Sequence, residues 1–304
     1  MKPFALKANL WAGAAILAGS AALLAAGSGF MQTWFYSFAW WSTILILDSV
    51  NFRLRGSSPL SRSVKDFLIL AFVSVPVWLV FELYNLALNN WSYHHLPPER
   101  GIRWLGYFIA FATVVPALKE LGELWTHLLR KSSLSLVRFP ASAPAQNIFI
   151  ILGIFCLTLP AFIPKAAFPL IWLGFIFFLD PLNYRYGRDS LLRELSQNQW
   201  NRFIGWALAG MTAGLLWEGF NFWSGSHWEY TVPFFNFGKI FQMPVLGYFG
   251  FAPFALEIFA FLVLYRHIRE RLQGRPWAYA VIAILLLLFD AWVFSLIDAF
   301  TWAI

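Results

Sequence analysis

Nine stretches of about 20 mostly apolar residues succeed one another along the chain, at roughly 9–30, 31–50, 66–88, 103–126, 147–164, 166–182, 202–224, 244–265 and 277–302. A run of this length crosses a bilayer as a helix, and in lipid only helices and closed barrels satisfy their own backbone. The period-2 alternation of barrel strands is absent from the sequence. The expected fold is all-α, a polytopic membrane helical bundle of about nine transmembrane helices. Charged residues make up only 12% of the chain, against about 25% in an ordinary soluble domain, which excludes a soluble enzyme. An aromatic content of 20% excludes disorder. The single cysteine, Cys156, leaves no intramolecular disulfide and no cysteine-based metal site.

The net charge of +7 does not point to nucleic acid, because the basic residues sort by topology. With the N-terminus inside, Arg100, Arg103, Lys165 and Lys239 fall outside and Lys119 within a span, while the other seventeen Lys and Arg residues fall inside. By the positive-inside rule this predicts a multi-pass protein of the bacterial inner (plasma) membrane, with a cytoplasmic N-terminus and an external C-terminus. The first run follows Lys2 and Lys7 and ends on small residues, as a signal sequence does. It is longer than a signal core, so its retention is expected. Spans five and six, separated only around Pro160, Pro164 and Lys165, predict a tight helical hairpin. Six tryptophans (Trp40, Trp41, Trp78, Trp172, Trp217 and Trp292) lie away from span ends, so they face protein, lipid tails or a ligand.

The chain also contains an approximate internal repeat. LDSVNFR (47–53), FELYN (81–85), WSY (91–93), LGYF (105–108) and PALKE (116–120) return as LDPLNYR (179–185), WEGFN (217–221), WEY (228–230), LGYF (246–249) and PFALE (253–257). The predicted organisation is a first span at 1–30, repeat 1 at 31–130, span five at 147–165, repeat 2 at 166–270 and an added C-terminal span at 277–304. Both copies enter the membrane in the same direction, which makes a parallel repeat.

A carboxyl within the bilayer costs about 2.5–3.5 kcal/mol on insertion scales, so it faces protein or a cavity. The candidates recur in pairs. Glu82 and Glu218 lie in the outer third of their spans, each three residues before an amide, Asn85 or Asn221, and so on one helical face with it. The loops that follow bring Trp91 and Tyr93, or Trp228 and Tyr230. Glu120 and Glu257 lie deeper, each four residues after a proline. Asp48 and Asp180 end their spans in D-x-x-N-[FY]-R, with Asn51 and Asn183, where each pairs with Arg53 or Arg185 or contributes to a site. Asp290 and Asp298 share one face of span nine, and Lys119 with Glu123 forms an i, i+4 pair. The group His94, His95, His227, Glu82, Glu218 and Glu229 has the ligand types of a transition-metal site but no H-E-x-x-H or E-x-x-H spacing, so no metal is predicted. No phosphate loop is present, and no other cofactor is predicted.

W-E-x-x-N, W-x-Y, L-G-Y-F and P-x-x-x-E in the second copy resemble the repeated three-span domain of the membrane-integral lycopene cyclases of carotenoid synthesis. The resemblance covers spans two to four and six to eight. That family carries adjacent acids after its proline, whereas a single Glu120 or Glu257 stands here. The resemblance implies acid chemistry on an isoprenoid. A carboxylic acid held away from water favours its neutral form and can protonate an alkene, and aromatic faces, Trp above all, stabilise the resulting cation. On this reading Glu82, Glu218, Glu120 and Glu257 are the candidate acids and Asn85 and Asn221 orient the first two. Trp91, Trp217, Trp228, Tyr93, Tyr230, Tyr107 and Tyr248 bind the substrate. The partners are then the lipid bilayer and a lipid-soluble small molecule, and the sequence leaves the oligomeric state open. Two other readings stand beside it: a proton- or cation-coupled transporter, and a scaffold whose Glu and Asn residues only hold helices together.

Overall fold

The computed structural model describes residues 3–234 and 236–303, with side chains from residue 8 onward. Lys2, assigned above to the inner side, lies outside these. Helices α1 (Pro3–Ala25) and α2 (Gly29–Arg55) form a hairpin that turns on Gly27, whose φ of 79° favours glycine. The turn is a few residues earlier than the sequence boundary at 30. A short α3 (Pro59–Arg62) leads to α4 (Val64–Leu88) and a four-residue strand β1 (Trp91–His94). The next span is broken into α5 (Arg100–Phe111) and α6 (Val114–Leu128). The break precedes Pro116, which has no N–H to continue the helical ladder.

Helix α7 (Ala143–Phe162) and the pair α8 (Pro164–Ala167) and α9 (Ile171–Arg185) make the expected tight hairpin around Ile163 and Pro164. A Cβ on Gly153 would lie 2.5 Å from the Phe178 backbone nitrogen, so this glycine sets how closely α7 and α9 approach. The second half continues with α10 (Leu191–Ser196), α11 (Asn201–Trp223) and β2 (His227–Tyr230). After it come a two-residue pair β3 (Lys239–Ile240) and β4 (Met243–Pro244), then α12 (Phe251–Arg271) and α13 (Pro276–Phe300).

Among the described residues, seven helical segments are long and apolar enough to cross a membrane: Ala8–Ala25, Val64–Leu88, Arg100–Lys131, Ala143–Phe162, Pro164–Arg185, Val245–Arg271 and Pro276–Phe300. The expected second and seventh spans, α2 and α11, have comparable lengths of 27 and 23 residues. They are less apolar because they face protein: α11 packs on α6 and α12, and α2 buries Trp40, Asp48 and Asn51 completely. The core joins both halves, running through Trp40, Phe81, Leu118, Trp217 and Phe254. Trp292, by contrast, is exposed on α13, as a lipid-facing side chain would be.

Asp48 and Asp180, which the sequence placed at span ends, lie inside α2 and α9, each helix continuing to an arginine beyond them, and do not pair with Arg53 or Arg185. Asp48 accepts from the Leu60 N–H at 2.8 Å. Asp180 accepts from the Ser190 hydroxyl and the Leu191 and Leu192 N–H groups, all at 2.8 Å. Each folds back onto the start of the short helix that follows, α3 or α10. There it meets unpaired N–H groups and the positive end of a helix dipole, which an arginine side chain does not outbid. Arg185 instead reaches Gln146 and Asn147 on α7.

Candidate functional site

The two halves meet in an antiparallel ribbon of β1 and β2, with Trp91 opposite Tyr230 and Tyr93 opposite Trp228. Side chains two residues apart share a face of a strand, so these four aromatic rings lie on one side. All four line a cavity of about 200 Å³. Its floor is aromatic as well: Phe254 meets Trp78, Phe81, Trp172 and Trp217 with centroids 5.1–5.9 Å apart. The walls also include Thr33, Trp34, Tyr36 and Ser37 of α2, Asn90 just before β1, Arg103, Tyr107 and Phe111 of α5, and Phe251 of α12.

Each E-x-x-N motif ties its own strand to its own helix. The Asn85 amide donates to the Trp91 carbonyl at 2.8 Å, and its oxygen accepts the N–H groups of Asn90 at 2.8 Å and Trp91 at 3.2 Å. Asn221 does the same to Trp228, giving and receiving at 2.8 Å. The amides therefore hold strand backbone rather than orient the glutamates, because a carboxamide matches the donor-acceptor pair of an outward-facing strand residue. Both outward-facing groups of Tyr93 go to the C-terminal segment: its N–H donates to the Thr301 carbonyl at 2.7 Å, and its carbonyl accepts from the Ala303 N–H at 2.8 Å. This strip leaves no open edge on β1 at these residues.

The glutamates stand one layer behind the cavity wall. Glu82 Oε1 accepts from the Tyr93 hydroxyl at 2.5 Å, the Trp78 indole at 2.8 Å and the Trp91 indole at 3.2 Å. Glu218 Oε1 accepts from the Tyr230 hydroxyl at 2.7 Å. Both carboxyls are fully buried, and in both Oε2 has no partner among the described residues. Burial first, and then the adjoining glutamate, hold the Tyr93 and Tyr230 phenols well above the usual tyrosine range, so both remain O–H donors. The cavity thus presents two phenols, each backed by a buried carboxyl that it already touches.

The other predicted residues separate from this group. Tyr107 lines the cavity and donates to Asp298 at 3.1 Å. Tyr248 does not line it: its hydroxyl is occupied by the Ile240 carbonyl at 3.0 Å, where it fixes the loop before α12. Glu120 accepts the Asn51 amide at 2.7 Å, and Glu257 accepts the Phe175 N–H of α9 at 2.8 Å. Asn183 donates to the Ala260 carbonyl at 3.0 Å. This deeper layer joins helices to one another and contributes nothing to the cavity lining.

On α13, Asp298 takes a bidentate grip from Arg103 at 2.7 and 2.8 Å, together with the Trp104 indole at 2.9 Å. Helix α13 is thereby fastened to the cavity wall. Lys119 meets Glu123 at 2.6 Å as the spacing predicts, and Arg55 and Arg62 join them. His94, His95 and His227 gather with ring centroids 5.6–6.4 Å apart. Among the described residues no three His, Cys, Asp or Glu side chains are arranged to hold a metal.

Sequence reasoning singled out Trp78 and Trp172 as unexplained, and both line the cavity. It missed Thr33, Tyr36 and Ser37, although their three- and four-residue spacing places them on one face of α2. Comparison with protein-family models, curated proteins and solved structures found no match.

Proposed function

We propose that this integral membrane protein is an enzyme that isomerises an isoprenoid or similar lipid-soluble substrate by proton transfer. The observation that carries this reading is the pair of phenol-carboxyl contacts, Tyr93 with Glu82 and Tyr230 with Glu218, opening onto one aromatic cavity. A substrate in the cavity meets the phenols, and the glutamates act through them. With one glutamate in its neutral form, its proton passes to the phenolic oxygen as the phenol's own proton moves to an alkene carbon. A carbocation forms, and the faces of Trp78, Trp91, Trp172, Trp217 and Trp228 stabilise it. In the other pair the phenolic oxygen takes a proton from carbon while its own proton moves to the carboxylate, and the double bond is restored. One proton enters and one leaves, so the product has the mass of the substrate and no redox cofactor is required.

The resemblance to lycopene cyclases agrees with this chemistry and points to an acyclic isoprenoid, hydrocarbon or alcohol, as the first substrate class to test. The transport reading needs carboxyls at two depths to share one path, and it is not favoured because Glu120 and Glu257 take no part in the cavity lining and join helices through Asn51 and the Phe175 N–H. The scaffold reading accounts for Asn85 and Asn221. It gives no reason to keep a cavity, which close-packed interiors otherwise avoid.

The test is incubation of the protein, reconstituted in lipid nanodiscs, with lycopene and with geranylgeraniol, and chromatography of the extract for a product of unchanged mass. Conversion that is lost in Glu218→Gln and Glu82→Gln supports the assignment. Full conversion by both variants, or none by the unaltered protein on either substrate, overturns it.

A further inference from the structure

Among the described residues, three short polar side chains on the cavity wall, those of Asn90, Thr33 and Ser37, are uncommitted. Asn90 is 3% exposed and lines the cavity, and its Oδ1 has no hydrogen-bond partner among the described residues. Its backbone is occupied, the N–H by Asn85 and the carbonyl by the Thr231 N–H. Thr33 and Ser37 lie one turn apart on α2, facing the same cavity. Further along the same helix, Ser42 and Thr43 give their hydroxyls to the carbonyls four residues back, at 2.5 and 2.8 Å. That is the usual way to settle a hydroxyl in a membrane helix. Thr33 and Ser37 make no such bond.

A buried polar group left unpaired carries a desolvation penalty, and a pure hydrocarbon in the cavity would leave the buried Asn90 and Ser37, and the half-buried Thr33 beside them, unpaired. We infer that the ligand of this cavity is an oxygenated isoprenoid, one bearing a hydroxyl group, which Asn90, Thr33 and Ser37 receive while its hydrocarbon chain lies against the indoles. A hydroxyl both donates and accepts, so it meets the Asn90 amide and the hydroxyls of α2 in either sense. This rests on the cavity being the substrate site proposed above, and it adds the class of molecule that the site selects.

The experiment compares two C15 probes, farnesol and β-farnesene, titrated onto the protein in nanodiscs. Binding is read from the tryptophan fluorescence of the cavity. Farnesol is expected to bind at least tenfold more tightly, and Asn90→Ala and Ser37→Ala each to bring that preference below threefold while the farnesene affinity stays the same. Because Asn90 holds the ribbon through its backbone, the alanine variant keeps those bonds, and retained farnesene binding shows that the cavity still forms. Equal binding of the two probes, or a preference untouched by both substitutions, overturns this inference and leaves the proton-transfer reading standing. Failure of the unaltered protein to bind either probe removes both.

Discussion

Replacing Asn85 with alanine tests the logic of the site most directly. The side chain is fully buried and makes three bonds, two of them to the N–H and C=O of Trp91. Alanine leaves those two groups facing the protein interior with nothing to bond. At about 1–3 kcal/mol for each buried group left unpaired, the strand loses about 2–6 kcal/mol of local stability. A factor of ten in an equilibrium constant corresponds to about 1.36 kcal/mol, so opening of the ribbon becomes at least ~30-fold more frequent. Hydrogen exchange followed by mass spectrometry on the peptide containing residues 89–95 reads this opening. The expected result is exchange at least 30-fold faster in that peptide, with helices α7 and α9 unchanged. Asn221→Ala is expected to act in the same direction on β2 but less strongly, because Trp228 is only half-buried. If exchange over 89–95 changes by less than threefold in Asn85→Ala, the amide does not hold the strand, and the account of E-x-x-N as a strand anchor is wrong.

Other outcomes follow from the same geometry. Arg103→Gln leaves Asp298, only 15% exposed, without its charged partner, with the Trp104 indole and Tyr107 hydroxyl still in place. It is expected to cost about 3–5 kcal/mol in thermal unfolding, with most of the loss recovered by adding Asp298→Asn, whereas strictly additive losses would refute the pairing. Removing residues 301–304 frees the Tyr93 backbone and is expected to open the ribbon to limited proteolysis while the helices stay protected. Glu120→Gln and Glu257→Gln keep an acceptor for Asn51 and for the Phe175 N–H. Both are expected to retain the isomerising activity proposed above, which Glu218→Gln is expected to lose, and equal loss in all three would put the deeper layer back into the proposed chemistry. Asp180→Ala leaves the Leu191 and Leu192 N–H groups at the start of α10 unpaired and is expected to lower thermal stability by about 2–6 kcal/mol with no change in probe binding.

The helices were legible because membrane spans must satisfy their own backbone within twenty or so residues, and the length of an apolar run carries that requirement openly. The candidate acids were legible for the same reason, since a carboxyl in such a run stands out. What those acids touch was not. The partner of Asn85 lies six residues ahead in a strand too short to show a periodic pattern, and the partner of β1 is β2, more than a hundred residues away. Tyr248 shared the L-G-Y-F motif with Tyr107 and looked equivalent to it. A local loop, fixed through the Ile240 carbonyl, decides that the two differ. Asp48 and Asp180 were read against the arginines nearest in sequence, while the groups they satisfy are N–H donors beyond the following turn.

The ribbon of one strand from each half also constrains the order in which the protein can mature. Strand β1 leaves the ribosome more than 130 residues before β2 is complete, an interval on the order of 10 s at ordinary rates of synthesis. Throughout that time the N-terminal helices hold Glu82 and Asn85 in the membrane without the finished wall. The last contacts on Tyr93 come from Thr301 and Ala303, at the end of the described chain. The cavity is therefore a late product of assembly, and the half that supplies Tyr93 and Glu82 encloses nothing until the other half arrives. Two fragments divided in the loop between α6 and α7 would each insert, but only their association would create a place for a substrate.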